Sequence, residues 1–517
     1  MRLTTSQCRY VPPFEKGGLG GICQQINPPQ SPFVKGGGLF AVAMVSVSLF
    51  LNACAVGPDY KRPSTVVDTQ SSDSFKEAQS GAWKIAEPND HAARGTWWEI
   101  FGDEQLNTLQ TQLLAANQNI AAAEARYRQA RAAAQAARAA YFPNLSLNAT
   151  AKRAGGSSSN LLSTQNGIVT QNTATLDASW ELDVWGRIRR QVEAGEANAQ
   201  ASAGDYAAAM LSAQAELAQN YFLLRIADAQ QQLLERTVVD YEKSLQLTRN
   251  QYAVGIAGRA EVTQAQAQLK AAQAQAVDNG IARGQLEHAI AILIGKAPVN
   301  VAIEQAQIAS SAAGINKTLP DIPLTLPSSL LERRPDIAAA ERRVVAANAN
   351  VGVARAAYFP QISLSASGGY RSDSFSDWFT APNRFWSVGP SLSLPLFDAG
   401  LRSAQNRQAE AVYDETVANY RQTVLGGLQE VEDNLIALDH LAKEVQYQQE
   451  AVAASHEALQ LVNNQYKAGT VSFLNVLTAE TTAFNNERTL LQAQGRQYTA
   501  SVLLIKALGG GWDAGSH

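Results

Sequence analysis

The sequence predicts a mixed α+β membrane fold built as two like halves, with four strands and two long helical hairpins per chain. Three observations carry this. Motifs return about 214 to 217 residues apart: Ala139-Ala140-Tyr141-Phe142-Pro143 as Ala356-Ala357-Tyr358-Phe359-Pro360, and Asn250-Gln251-Tyr252 with Gly255 as Asn464-Gln465-Tyr466 with Gly469. Asn119 to Glu124 returns in the same way as Asp336 to Glu341. So long a period is a duplicated half-molecule, not a solenoid unit. After each Tyr-Phe-Pro, hydropathy alternates with period two; after each pair of such runs comes a long stretch with helical spacing and no proline.

At the N-terminus, Leu39 to Leu51 is 13 residues without a charge, too short to span a bilayer as a helix and suited to the apolar part of a signal segment. It runs into Leu51-Asn52-Ala53-Cys54, which resembles the cleavage box of bacterial lipoproteins and makes Cys54 the expected lipidation site. Within residues 1–38, Pro13-Phe14-Glu15-Lys16-Gly17-Gly18 is echoed by Pro32-Phe33-Val34-Lys35-Gly36-Gly37 amid Pro and Gly that form no core, and Val34 is a candidate for the true start, which would remove 1–33.

The first strand is expected at 144–152, where Leu145, Leu147, Ala149 and Ala151 alternate with Asn144, Ser146, Asn148, Thr150 and Lys152. The second is expected at 173–184, where Leu176, Ala178 and Trp180 alternate with Thr175, Asp177 and Ser179. The second half repeats the pattern at about 361–370 and 386–396, with surface loops between paired strands at 154–172 and 371–385. Each run is about ten residues, the length of a tilted membrane strand with one oily and one wet face. Four strands cannot close a barrel in lipid, where an open edge is prohibitively costly, so several chains must share one barrel.

From Arg187 to Gln251 a heptad-like seam passes through Leu217, Leu224, Leu234, Val238, Tyr241, Leu245 and Thr248. About 65 residues at ~1.5 Å each make a rod of roughly 100 Å. Its counterpart runs along Val431, Leu435, Leu438, Val452, His456, Leu459 and Tyr466. Both rods stop near a glycine, Gly255 or Gly469, and a return helix follows each, at about 260–294 and 472–508. Between the halves, prolines 298, 320, 323, 327 and 335 mark a connector.

Composition excludes several classes. A net charge of −4 offers nothing to nucleic acid. With Cys8, Cys23 and Cys54 the only cysteines, the main body has no disulfide framework or thiol-rich metal site. The five histidines have no ligand spacing, and no phosphate loop or nucleophile elbow occurs, so no enzyme activity, metal or cofactor is expected.

Several motifs occur together and in order: Cys54-Ala-Val-Gly-Pro-Asp-Tyr-Lys-Arg-Pro63, Trp97-Trp98 with Phe101-Gly102-Asp103, and Glu181-Leu-Asp-Val-Trp-Gly-Arg187. Arg333-Arg334-Pro335-Asp336-Ile337, Leu396-Phe397-Asp398-Ala399-Gly400 and Leu508-Gly-Gly-Gly-Trp512 complete the set. In these the chain resembles the outer-membrane efflux protein family, the TolC-like channels, and within it the NodT-like lipoprotein branch of RND-type systems. The resemblance implies a homotrimeric channel with a 12-stranded β-barrel in the outer membrane, four strands from each chain. A periplasmic α-helical barrel with an equatorial collar would continue it. The partners implied are a periplasmic adaptor and an inner-membrane RND-type transporter, with this chain as the passive, gated exit duct for small molecules.

The resulting plan is a signal peptide at 1–53, a lipidated segment at 54–102, a first repeat at 103–298, an equatorial connector at 299–335, a second repeat at 336–512 and a tail at 513–517. By the same resemblance the helical reversals meet the adaptor, which points to Tyr252, Val254, Gly255 and Ile256 on the first and to Tyr466, Gly469 and Thr470 on the second. Where much of the family carries acids in a closed entrance, this chain has Asn475 and Thr478, with Glu480 nearby but off the motif. A carboxylate ring is therefore not expected at that gate. Two alternatives stand beside the efflux duct: a type I protein-secretion duct, and a lipid-anchored coiled-coil spacer of the envelope. The paired alternating strands argue against the spacer.

Overall fold

The computed structural model describes residues 56–64, 95–156, 167–306 and 333–510. Two short helices, α1 (Glu104–Ala116) and α2 (Gln118–Ala139), lead into strands β1 (Asn144–Gly156) and β2 (Gly167–Glu181). The long helix α3 (Arg187–Ala253) descends and α4 (Arg259–Leu293) returns. The second half repeats the order with α5 (Pro335–Ala356), β3 (Gln361–Ser372), β4 (Arg384–Ser393), α6 (Leu401–Lys467) and α7 (Phe473–Ala507). Both long helices have 67 residues, about 100 Å at helical rise, and both return helices have 35.

The four strands form one antiparallel sheet in the order β1-β2-β3-β4, so the β2–β3 pairing joins the two halves. The strands differ from their expected limits in an interpretable way. β1 and β2 extend into the expected loop because backbone pairing continues through Gly155↔Ile168 and Gly156↔Gly167, where side-chain alternation has already lapsed. β2 stops at Glu181, short of 184, and β4 stops at Ser393, short of 396. In each case the chain leaves the sheet to cap a helix.

That cap explains a motif the sequence had presented only as a resemblance. The Asp183 carboxylate accepts from the backbone N–H groups of Ile188 (2.8 Å) and Arg189 (2.9 Å), satisfying donors the first turn of α3 cannot bond internally. Asp398 does the same for Gly400 (3.1 Å) and Arg402 (3.4 Å) at the start of α6. The turn glycines Gly186 and Gly400 adopt positive φ, 81° and 89°. The duplicated strand-to-rod junction is thus an aspartate reaching across a glycine turn onto a helix N-terminus.

Of the seam read from the sequence, Leu217, Leu224, Leu234, Tyr241, Leu245 and Thr248 on α3 and Val431, Leu435 and Val452 on α6 are buried, while Val238, Leu438, His456, Leu459 and Tyr466 are half-buried. The largest core lies midway, where Trp97, Trp98, Phe101, Leu106 and Leu113 pack on Leu217, Tyr221 and Phe222 of α3 and on Tyr498, Val502 and Ile505 of α7. Beside it, Asp228 is held between Arg225 (2.8 Å) and Arg283 (2.7 Å), while Arg283 also donates to the carbonyl of Ile303 (2.6 Å). These bonds pin the chain after α4 against both helices of the first hairpin. A carboxylate this deep is tolerated because two guanidiniums meet it.

A strap formed by residues 56–64 crosses the second half near the sheet. Val56 N–H donates to the Trp185 carbonyl (3.0 Å), and Asp59 pairs with Arg190 (2.7 Å). The Tyr60 hydroxyl (3.1 Å) and Arg62 (2.9 Å) both meet the Glu341 carboxylate of α5, and Arg421 of α6 donates to the Ser64 carbonyl (3.2 Å). Cys54 and the signal segment lie outside the described residues, as do most of the connector and Trp512.

Candidate functional site

The first functional surface is the sheet. Its register aligns like with like across all four strands: Leu147↔Leu176↔Gly368↔Trp386 and Leu145↔Ala178↔Ala366↔Val388 make apolar rungs. Between them, Ser146↔Asp177↔Ser367↔Ser387 and Asn144↔Ser179↔Ser365↔Gly389 make hydroxyl-rich ones. Because side chains alternate in strict period two, the two kinds of rung occupy opposite faces. The oily face is bare in the single chain, with Leu147 76%, Trp386 77% and Leu392 67% exposed, which no water-facing sheet would sustain. At the end next to the rods, Phe142 and Phe397 are 71% and 89% exposed, and the indole N–H groups of Trp180 and Trp185 donate to the carbonyls of Tyr141 (3.0 Å) and Pro360 (2.8 Å). Such a girdle of aromatics with polar handles suits a lipid–water boundary. Among the described residues, no helix is long and apolar enough to cross a membrane.

The second surface lies at the far ends of the rods. Both reversals are built alike. Gly255 N–H donates to Tyr252 O (3.0 Å) and Ile256 N–H to Gln251 O (2.9 Å); Gly469 N–H donates to Tyr466 O (3.0 Å) and Thr470 N–H to Gln465 O (3.0 Å). This paired closure needs left-handed backbone at the glycine, and φ is 80° at Gly255 and 75° at Gly469. No other atom lies within 4 Å of where a Cβ would stand at either position. Their requirement is therefore backbone conformation alone, not close approach as well.

The structure sorts the seven tip residues into two groups. Val254 and Ile256 are 70% and 77% exposed and Tyr252 48%, and Gly255, Gly469 and Thr470 are exposed with them. Tyr466 is half-buried instead: its ring packs near Phe473 (5.9 Å) and its hydroxyl donates to Gln251 Oε1, tying the end of α6 to the end of α3. Beneath the tips, Tyr241, Leu245, Leu269, Phe473 and Val476 form a local core.

Asn475 and Thr478 lie together on the exposed face of α7, one turn from its start, with Val476 and Leu477 turned inward. The Thr478 hydroxyl bonds its own helix at Leu474 O (2.8 Å). A set of groups that sequence reasoning did not assign lies behind them. Glu480 accepts from Ser244 Oγ (3.0 Å) of α3, and burial, reinforced by Asp240, raises its carboxyl from 4.5 to about 7. Further up, Glu487 lies 2.7 Å from His456 Nε2 and 3.7 Å from Arg236, with burial pushing its pKa up. His456 stood in the predicted seam of the second rod, which was the available signal that it would face a neighbouring helix.

A sheet oily on one face and hydroxylated on the other, carried on rods of roughly 100 Å, defines a channel-forming protein of the outer membrane. A family model described as outer membrane efflux protein matches residues 109–296 and 326–510, and the chain belongs to that family. It is 31% identical over 467 residues to the cation efflux system protein CusC of an Escherichia coli strain, covering 90% of this chain and 98% of that one. It is 31% identical over 474 residues to the toluene efflux pump outer membrane protein TtgC of a Pseudomonas putida strain, covering 91% and 95%. The solved outer-membrane channel OprN superposes with a TM-score of 0.79 at 31% identity, over 89% of this chain and all of that one. The chain is thus an outer-membrane channel of an efflux system, in a family of ducts rather than of enzymes.

Proposed function

We propose that three copies of this chain close a 12-stranded barrel in the outer membrane, continued by a periplasmic helical tunnel, as the exit duct of a tripartite pump. An inner-membrane RND-type transporter supplies the energy, and a periplasmic adaptor joins it to this duct. The observation that carries this is the four-stranded sheet itself. It has two faces of opposite polarity and, among the described residues, unpaired edges at β1 and β4, which within lipid must be paired by other chains. The adaptor-contact role belongs to the exposed tip group of Tyr252, Val254, Gly255, Ile256, Gly469 and Thr470, with Tyr466 setting their relative position. Asn475 and Thr478 line the entrance, and Cys54 carries the lipid.

The relatives are named for cargoes as different as cations and toluene. A wide water-filled duct holds neither in a tight pocket, so the transporter selects the cargo. The test is twofold. Purified protein in planar bilayers should conduct as a trimer of defined size, and pull-down from cross-linked cells should recover an adaptor and an RND-type transporter. Recovery of a protein-secretion ATPase instead would favour the secretion duct, and absence of conductance would favour a spacer.

A further inference from the structure

Asp177 stands in the middle of β2 on the hydroxyl-rich face. Its carboxylate accepts from Asn148 Nδ2 of β1 (2.8 Å), Thr175 Oγ1 of β2 (2.8 Å) and Ser367 Oγ of β3 (2.6 Å). Three neutral donors from three strands fix its oxygens, and among the described residues no cation pairs with it. The other acid of this face, Glu181 at the base of the sheet, is answered by Arg187 through two bonds of 2.7 Å. Toward the opposite end of the same face the charges are positive: Arg371 pairs in register with Thr173, and Lys152 with Gln171. Thr173 is four residues from Asp177, about 13 Å along the strand, more than the ~8 Å screening length at physiological salt. The strand face therefore carries two separate levels of opposite sign, a cationic one at Lys152 and Arg371 and an anionic one at Asp177.

We propose that Asp177 is the charge-determining residue of the middle level of the barrel lumen, a ring of one carboxylate per chain that favours cationic over anionic solutes at that level of the exit path. This rests on the reading that the sheets of several chains close with the hydroxyl-rich face inward. A fixed charge on the wall of a water-filled duct concentrates counter-charged solutes within about a screening length of it, and its donors here orient it without neutralising it. It places charge selection in the barrel, whereas the entrance presents the neutral Asn475 and Thr478.

The experiment reads the local potential with thiol reagents of opposite charge. Ser387→Cys puts a probe on the Asp177 rung, and Val388→Cys puts one on the opposite face. Whole cells are treated from outside with the trimethylammonium-ethyl (cationic) and sulfonatoethyl (anionic) methanethiosulfonates at ~0.1 M salt. Ser387→Cys should favour the cationic reagent at least about threefold beyond the preference of a free thiol. Adding Asp177→Asn should remove that preference while the trimer remains in the outer membrane, and Thr173→Cys at the cationic level should show the reverse bias. Raising salt to ~1 M should abolish the preference with Asp177 unchanged, which keeps the test valid if Asp177→Asn does not assemble. Reaction at Ser387→Cys with no charge preference, or a preference untouched by Asp177→Asn and by salt, would overturn the assignment. Labelling of Val388→Cys as fast as Ser387→Cys would instead show that the barrel reading itself has failed.

Discussion

Glu480 shows how one buried group can make a long helical hairpin sensitive to pH. Its carboxyl lies in a cleft between α3, α6 and α7, where Ser244 donates to it and Asp240, Lys243 and Lys467 are among the other lining residues. With the folded pKa raised from 4.5 to about 7, the folded chain binds a proton more tightly than the unfolded one. This contribution to stability is therefore greatest at low pH, falls as pH rises between those two values, and stays low above about 7. Glu480→Gln should melt higher than the parent at pH 8, by about 2–3 kcal/mol at most, and match it near pH 5. Thermal unfolding of both proteins across that range checks this; parallel curves would refute it. Another residue-scale expectation falls at Cys54. Mass spectrometry of the purified protein should find acylated Cys54 as its first residue, and an intact Ala53–Cys54 peptide as the main species would end that idea. In the proposed barrel, which would itself hold the protein in the membrane, Cys54→Ala should impair targeting more than conductance.

Among the elements, the sheet makes the sharpest expectation, because adjacent residues have opposite fates. Leu176 lies on the oily rung beside Leu147, and Thr175 on the wet rung beside Asn148. Leu176→Lys should cost roughly 2–4 kcal/mol near the bilayer midplane, whereas Thr175→Lys should be tolerated and alter conductance. Urea unfolding in lipid vesicles measures the first and single-channel recording the second; equal damage would mean the register is wrong. At the tips, Gly469→Glu should abolish adaptor cross-linking while leaving the trimer intact, since the sheet lies roughly 100 Å away. Its backbone part, about 1–2 kcal/mol for left-handed φ, is isolated by Gly469→Ala. A Gly469→Glu channel that still cross-links and exports would make the tips mere turns. The duplication, the strands and the seams were legible in sequence because period and spacing are local properties. Strand ends were not, since glycine pairs in a ladder without any hydropathy signal. Nor was the cleft: Ser244 and Glu480 are 236 residues apart, and no local pattern announces their meeting. Asp183 and Asp398 were visible as parts of motifs, but their work as helix caps emerged only once the turn between strand and rod was seen.

For the molecule as a whole, the two halves are held by more than their shared sheet. The strap of residues 56–64 bonds to Trp185 and Arg190 in the first half and to Glu341 and Arg421 in the second. Glu341→Ala leaves the Tyr60 hydroxyl and the Arg62 guanidinium without their shared acceptor, at a cost of about 1–3 kcal/mol. The strap should then become sensitive to limited proteolysis while the rods stay resistant; unchanged protection would mean that the other strap contacts suffice. The same strap also sets an order of events in biogenesis. Tyr60 is among the first of the described residues to leave the ribosome, yet its partner Glu341 follows 281 positions later. So the earliest segment made is among the last to be seated, after a long and entropically costly loop has closed. Until then the two halves lack the segment that bonds to both, and seating it completes the fold of the chain.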